Sequence, residues 1–339
     1  MKIKKKSINR NSHYELLRMI AMLSVFLSHV PCASDALAAN KIMHSFFYCG
    51  GAFGVNLFVL IGSWFLAGQE FRAERVFRIV FQTAFYGIVF YIISIILGSD
   101  ISLHNLVLCF ALWFPFGYVC MLCLSPFLEK LNKSHKKAII ITILSLSIIV
   151  FIMMLTDKRN ILTIAFSKGM FIGPVWFSFI YIFISCYKNK ICKAVKNSHE
   201  KKYFIMSAVL YLLMFIFLYY FEEGVVRAAF SPLCFLSALL LFFGFLSFDR
   251  TISNKGVNLI ASTSFGVYLI QGHRIFMVYI WEKYISFSML SKSGVLLYMT
   301  AALLLFFILV FAALIIDPVW RQIFRRTFSV FKIMKTRKN

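Results

Sequence analysis

The chain has 339 residues, 61 % of them hydrophobic and only 14 % charged, and its mean hydropathy is +0.82. Soluble domains run at about 45–50 % apolar and about 25 % charged, so a soluble domain is excluded, and a disordered chain, which needs low hydrophobicity, is excluded with it. The net charge of +23 is what a membrane protein accumulates when Lys and Arg gather in cytoplasmic loops against anionic lipid, so membrane lipid rather than nucleic acid is the expected partner.

Since about 20 apolar residues cross a bilayer, the hydrophobic runs give the expected elements. Ten lie near 14–31, 46–67, 76–97, 105–128, 138–156, 170–186, 203–220, 231–248, 258–280 and 295–316. Backbone groups in hydrocarbon must bond within the chain, and uninterrupted runs such as Leu296 to Ile316 lack the two-residue alternation of a barrel. The expectation is an all-α polytopic membrane protein with about ten transmembrane helices. Alternate connections hold roughly eight Lys or Arg, whereas the tails and the remaining connections hold roughly 27, which makes the latter side cytoplasmic and the topology N-in and C-in. Residues 1–339 read as one membrane domain, its bundle over roughly 14–316 and its tails basic. A cleaved signal peptide over the first 40 residues is disfavoured because Glu15 and Arg18 interrupt its apolar stretch.

An ionisable group within a span is costly and is a functional hypothesis by default. In the first run, eleven steps of about 100° bring Arg18 and His29 to one face, about 16 Å apart along the axis. Arg18 can snorkel to headgroups or face the bundle; His29, ahead of Pro31, can be interfacial or functional. Glu15 stands three residues before Arg18 and can orient its guanidinium. After the second run, Arg72, Arg75 and Arg78 recur every third residue. On a helix they form a cationic stripe able to hold a phosphorylated ligand through forked hydrogen bonds, or they simply obey the positive-inside bias. Trp113 and Tyr118 stand near a helix end, as interfacial aromatics do. The ninth run supplies Gln271, His273 and Arg274, polar groups able to touch an acceptor or rest at the interface. Cys120 and Cys123 lie in an apolar run with neither a second pair nor a nearby His, so no metal is expected, and Cys32 and Cys49 could pair on the outer side. A G-x-S-x-G elbow, a Walker loop, H-E-x-x-H and a dinucleotide fingerprint are all absent.

The spacing Arg18-x10-His29 followed by Arg75-x-x-Arg78 resembles the membrane acyltransferase 3 family, which adds acetyl groups to extracytoplasmic glycans. Asn11 to Arg18, Gly54 to Ile61, Trp113-Phe114 with Tyr118, Ser125 to Leu128 and Phe265 to Ile270 are similar to that family in order and spacing. Departures are Glu15 and Asn56 where many members carry Asp, the order Gly62-Ser63, and Gln271 in place of a common His. The resemblance implies an O-acetyltransferase in a bacterial plasma membrane, drawing on cytoplasmic acetyl-CoA as the acyl-CoA donor. Its acceptor would be a hydroxyl of an extracytoplasmic polysaccharide or lipid-linked glycan. It implies that Arg75 and Arg78 hold the donor phosphates, that Arg18 assists with Glu15 behind it, and that His29 does the chemistry. Trp113, Tyr118, Gln271 and His273 would meet the substrate. A transporter or flippase for the same glycan is the competing class, separated by the pairing of an Arg cluster with a distant His, which thioester transfer needs and transport does not.

Overall fold

The computed structural model describes residues 11–32, 41–96, 98, 112–156, 169–196, 200–221, 228–248, 252–273 and 294–336. Arg274 and the side chain of Cys32, both singled out above, lie outside the described side chains. Among the described residues the regular structure is helical throughout: α1 (Ser12–Cys32), α2 (Lys41–Tyr48), α3 (Gly50–Leu66), α4 (Ala73–Ile96), α5 (Trp113–Lys130), α6 (Lys133–Thr156), α7 (Gly169–Lys196), α8 (Glu200–Phe221), α9 (Pro232–Leu246), α10 (Lys255–Ala261), α11 (Ser264–Gln271) and α12 (Val295–Thr336).

The expectation of about ten transmembrane helices is not met. Among the described residues five helical segments are long and apolar enough to cross a membrane: Lys41–Leu66, Ala73–Ile96, Lys133–Met153, Glu200–Tyr220 and Leu296–Phe328. The N-in and C-in topology thereby loses the even count that put both termini on one side, and only the Lys and Arg bias still bears on it. The physical reasons differ from run to run. The described part of the ninth, up to His273, is two short helices, because the chain leaves helical register at Ser262 and Thr263 between α10 and α11. In α1, Glu15, Arg18, Ser24, Ser28 and His29 dilute the apolar content. Pro232–Leu246 is apolar but only 15 residues long. The tenth run does the opposite, since α12 continues past its apolar part to a total of 42 residues.

Burial orders these helices around a centre. In the segment ending with α3, 72 % of the most apolar stretch is buried, against 17–33 % in the other four, so α3 is the inner post and the others expose faces to lipid. Close approach to α3 is made possible by small residues. Side chains at Gly50 and Gly54 would strike the backbone of α1 at Ser24 and Ala21, so the Gly50-x-x-x-Gly54 spacing seats α1 directly on α3. Gly117 does the same between α5 and α7, where a Cβ would come within 3.0 Å of Gly173 and of the Phe177 ring. α8 and α9 are joined by reciprocal bonds, Ser207 Oγ donating to the Ser237 carbonyl at 2.8 Å and Ser237 Oγ to the Ser207 carbonyl at 2.9 Å. In hydrocarbon such bonds satisfy hydroxyls that water would otherwise serve.

Polar side chains fasten one end of the bundle. Lys188 Nζ donates to the carbonyls of Trp64 and Ala67, at 2.7 and 3.1 Å, capping the last turn of α3 with a cation where the helix dipole is negative. Glu129 accepts from Tyr181 and Ser185 at 2.8 and 2.7 Å and so ties α5 to α7. Ser12, at the start of α1, receives the Asn254 amide at 2.7 Å and donates to Asn258 at 2.9 Å. Arg321 of α12 donates to the Ser262 carbonyl at 3.0 Å, immediately after α10. The start of α1 and the later part of α12 therefore meet at the same end.

Candidate functional site

At that end the helices open into a cavity of about 970 Å³. Its walls come from α1, α3, α4, α5, α10, α11 and α12 and carry six arginines: Arg18, Arg72, Arg75, Arg78, Arg321 and Arg325. The acidic residue among the lining is Glu74. Deeper in, the walls become apolar, with Val25, Val55, Phe58, Phe114, Tyr118 and Tyr268. The chamber is thus cationic at its mouth and aromatic within. That polarity suits a ligand with a polyanionic head and a less polar extension.

Arg18 comes from α1, and its Nη1 donates to Glu15 Oε2 at 2.7 Å, one turn back on the same helix. Glu15 is 7 % exposed, so the pair sits where water competes weakly and the guanidinium is held in place. The α4 arginines stand at the helix start because Gly68, with φ +79°, turns the chain after α3 in a conformation other residues rarely adopt. Arg78 pairs with Glu74 at 3.0 Å on an exposed face and lies over the Phe324 ring of α12, 6.0 Å from its centroid. Arg75 makes a long 3.4 Å bond to the Glu70 carbonyl. Tyr118 reaches the cavity across Gly62, where any side chain would strike its hydroxyl.

Of the residues expected from sequence, Arg18, Arg75, Arg78 and Tyr118 share this cavity, with Glu15 behind Arg18. His29 does not line it. Val25 does, and His29 is half-buried one turn further along α1, about 6 Å beyond Val25 along the axis. Trp113 stands behind the wall, against Phe114 and Phe177, with ring centroids 6.3 and 6.0 Å away. Gln271 and His273 lie at the end of α11, beyond the chamber; both are buried, and His273 stacks on Phe90 at 4.7 Å. The Gln271 amide is fully buried, and neither its oxygen nor its nitrogen has a partner among the described residues.

The α12 contribution went unread in the sequence, where Arg321 and Arg325 count as part of a basic tail. The available signal was the i, i+4 spacing of Asp317, Arg321 and Arg325. Asp317 is 1 % exposed and central to this corner. Its Oδ1 accepts from Tyr86 at 2.8 Å, Gln82 at 3.2 Å and the Trp320 indole at 2.7 Å, while Oδ2 takes the Arg321 guanidinium at 2.7 Å. Gly266 makes room for this cluster, since a Cβ there would come within 3.2 Å of Asp317 Oδ1.

A family model described as an acyltransferase domain matches residues 11–317. No curated protein and no solved structure matches the chain.

Proposed function

The chain belongs to the acyltransferase 3 family and is a membrane-embedded, multi-pass protein; from that premise we propose that it transfers an acetyl group from acetyl-CoA to a hydroxyl of an extracytoplasmic glycan. The observation that carries this reading is the six-arginine cavity, whose lining runs from a cationic mouth to Val25, one turn before His29. The positive-inside bias favours the cytoplasmic side for that mouth, where CoA thioesters are made. Arg75 and Arg78 engage the donor phosphates with planar forks, and Arg18, fixed by Glu15, meets the head group deeper in. The pantetheine arm then runs along the aromatic interior toward His29.

The chemistry is an acyl exchange. A lone pair on the acceptor hydroxyl oxygen attacks the thioester carbonyl, the new C–O ester bond forms, and the C–S bond breaks. His29 removes the hydroxyl proton as general base, and that proton leaves on the CoA thiol. Tyr118 and Trp113 shape the passage, while Gln271 and His273, at the opposite end from the arginines, receive the acceptor. A buried amide with no partner among the described residues is costly by about 1–3 kcal/mol per unsatisfied atom, a cost that an acceptor hydroxyl would offset.

The test is transfer of radiolabel from acetyl-CoA to glycan in membranes carrying the intact chain or His29→Ala. The variant is expected to insert and accumulate normally and to transfer nothing. Normal labelling by a well-expressed His29→Ala protein would end the catalytic assignment, and absence of transfer by the intact chain would favour a transport role.

A further inference from the structure

Besides Arg18 on α1, the cationic lining falls into two groups, one at the start of α4 and one on α12, and the donor chemistry just proposed uses only the first of these two. α4 and α12 run antiparallel at the mouth. Phe81 meets Phe324 at 5.4 Å, Phe77 meets Phe328 at 6.4 Å, and the Arg78 guanidinium lies over Phe324. Arg72, Arg75 and Arg78 therefore face the cavity from one side of this seam, and Arg321 and Arg325 face it from the other. Arg321 uses Nη2 for Asp317 and Ser262, which leaves Nη1 and Nε without partners among the described residues. Arg325 uses Nε for the Arg321 carbonyl at 3.2 Å and keeps both terminal nitrogens. Phe265, half-buried, lines the same side and offers an aromatic surface to a base, with the buried rings of Trp320 and Phe324 beside it.

A CoA head group has two separate anionic centres: a diphosphate on the path to the pantetheine arm, and a terminal phosphomonoester on the 3′ oxygen of the ribose, beside the adenine. The diphosphate must lie toward Arg18 and the interior. The phosphomonoester must lie near the rings that take the base. We propose that Arg321 and Arg325 hold the 3′-phosphate of a CoA donor and that Asp317 is the positioning residue that fixes Arg321 for it. The assignment rests on the donor being a CoA thioester. Asp317 is suited to the task because three neutral donors from α4 and α12 secure one carboxylate oxygen, so the other points in one direction. Arg321 is thereby ordered before the ligand arrives, which lowers the entropy cost of binding.

The experiment measures equilibrium binding of CoA and of 3′-dephospho-CoA to the purified full chain in lipid nanodiscs. Wild type is expected to prefer CoA by about tenfold or more, the effect of one good charge-assisted contact. In Arg321→Gln and Arg325→Gln the preference should collapse toward unity with affinity for 3′-dephospho-CoA unchanged. Asp317→Asn should narrow it and Asp317→Glu should restore part of it. Arg75→Gln should weaken both ligands equally and keep the preference. Arg325 is exposed, so its variant folds even if the change at Asp317 is disruptive. Equal loss for both ligands in the α12 variants, or a wild type that does not discriminate, would overturn the assignment while leaving the CoA donor intact. Failure of wild type to bind either ligand would overturn the donor reading and this assignment together.

Discussion

Asn56 and Gln271 are both fully buried amides, and their surroundings treat them in opposite ways. Asn56 accepts from the Trp176 indole at 2.8 Å and donates to the Ala229 carbonyl at 2.9 Å, so it is spent on joining α3 to α7 and to the approach to α9. Replacing it by Leu leaves those two groups unpaired and is expected to cost about 1–3 kcal/mol, read as a lower thermal midpoint in detergent. Gln271→Leu removes an amide that bonds nothing described, so the midpoint should hold or rise while the acceptor KM increases. A fall in midpoint with unchanged acceptor KM would make Gln271 a packing residue. At the mouth, Arg75→Lys or Arg78→Lys keeps the charge but loses the fork, and the donor KM is expected to rise roughly tenfold, about 1.4 kcal/mol, with acceptor KM unaffected. These arginines could be found in sequence because a period of three marks one helical face. Asp317 could not, because its meaning lies in Gln82 and Tyr86, more than 200 positions away.

At the scale of elements, α1 is placed by α3. The glycines that admit it were visible as Gly50 and Gly54, although composition alone does not say which helix they face. Gly54→Leu is expected to destabilise the protein by about 1–3 kcal/mol through overpacking. Because α1 carries both Arg18 and His29, transfer should fall more steeply than the amount of folded protein, measured by labelled-glycan yield per unit of monodisperse protein. Hydropathy located α4, α6, α8 and the first part of α12 well, because lipid-facing helices are apolar on most sides. It misjudged the ninth run, where average hydropathy is blind to the helical break at Ser262 and Thr263. It also ended α12 with its apolar run at 316, whereas backbone bonding continues to Thr336 and carries Arg321 and Arg325 back to the cavity.

On the scale of the whole molecule, the bundle has two chemically distinct ends. Lys136, Lys188 and the six cavity arginines gather at one, while Gln271, His273 and the end of α8 with Tyr219 and Tyr220 lie at the other. Single cysteines at Ser134 and Tyr220, in an active variant freed of native Cys, are expected to react with an impermeant reagent from opposite faces of the membrane. Labelling of both from one face would break the path proposed for the acetyl group.

The length of α12 has its own consequence. Forty-two residues make a helix of about 63 Å along its axis, roughly twice the hydrocarbon thickness of about 30 Å, and the helix that anchors in lipid is also the one that presents Arg321 and Arg325, just past Pro318. A thicker or thinner bilayer tilts the apolar part of such a helix at modest cost, and the tilt, passed on through the turn at Pro318, shifts the basic part against α4. Lipid chain length thus becomes a dial on substrate capture: in nanodiscs of graded acyl length, affinity for CoA should vary, while Arg325→Gln flattens that dependence.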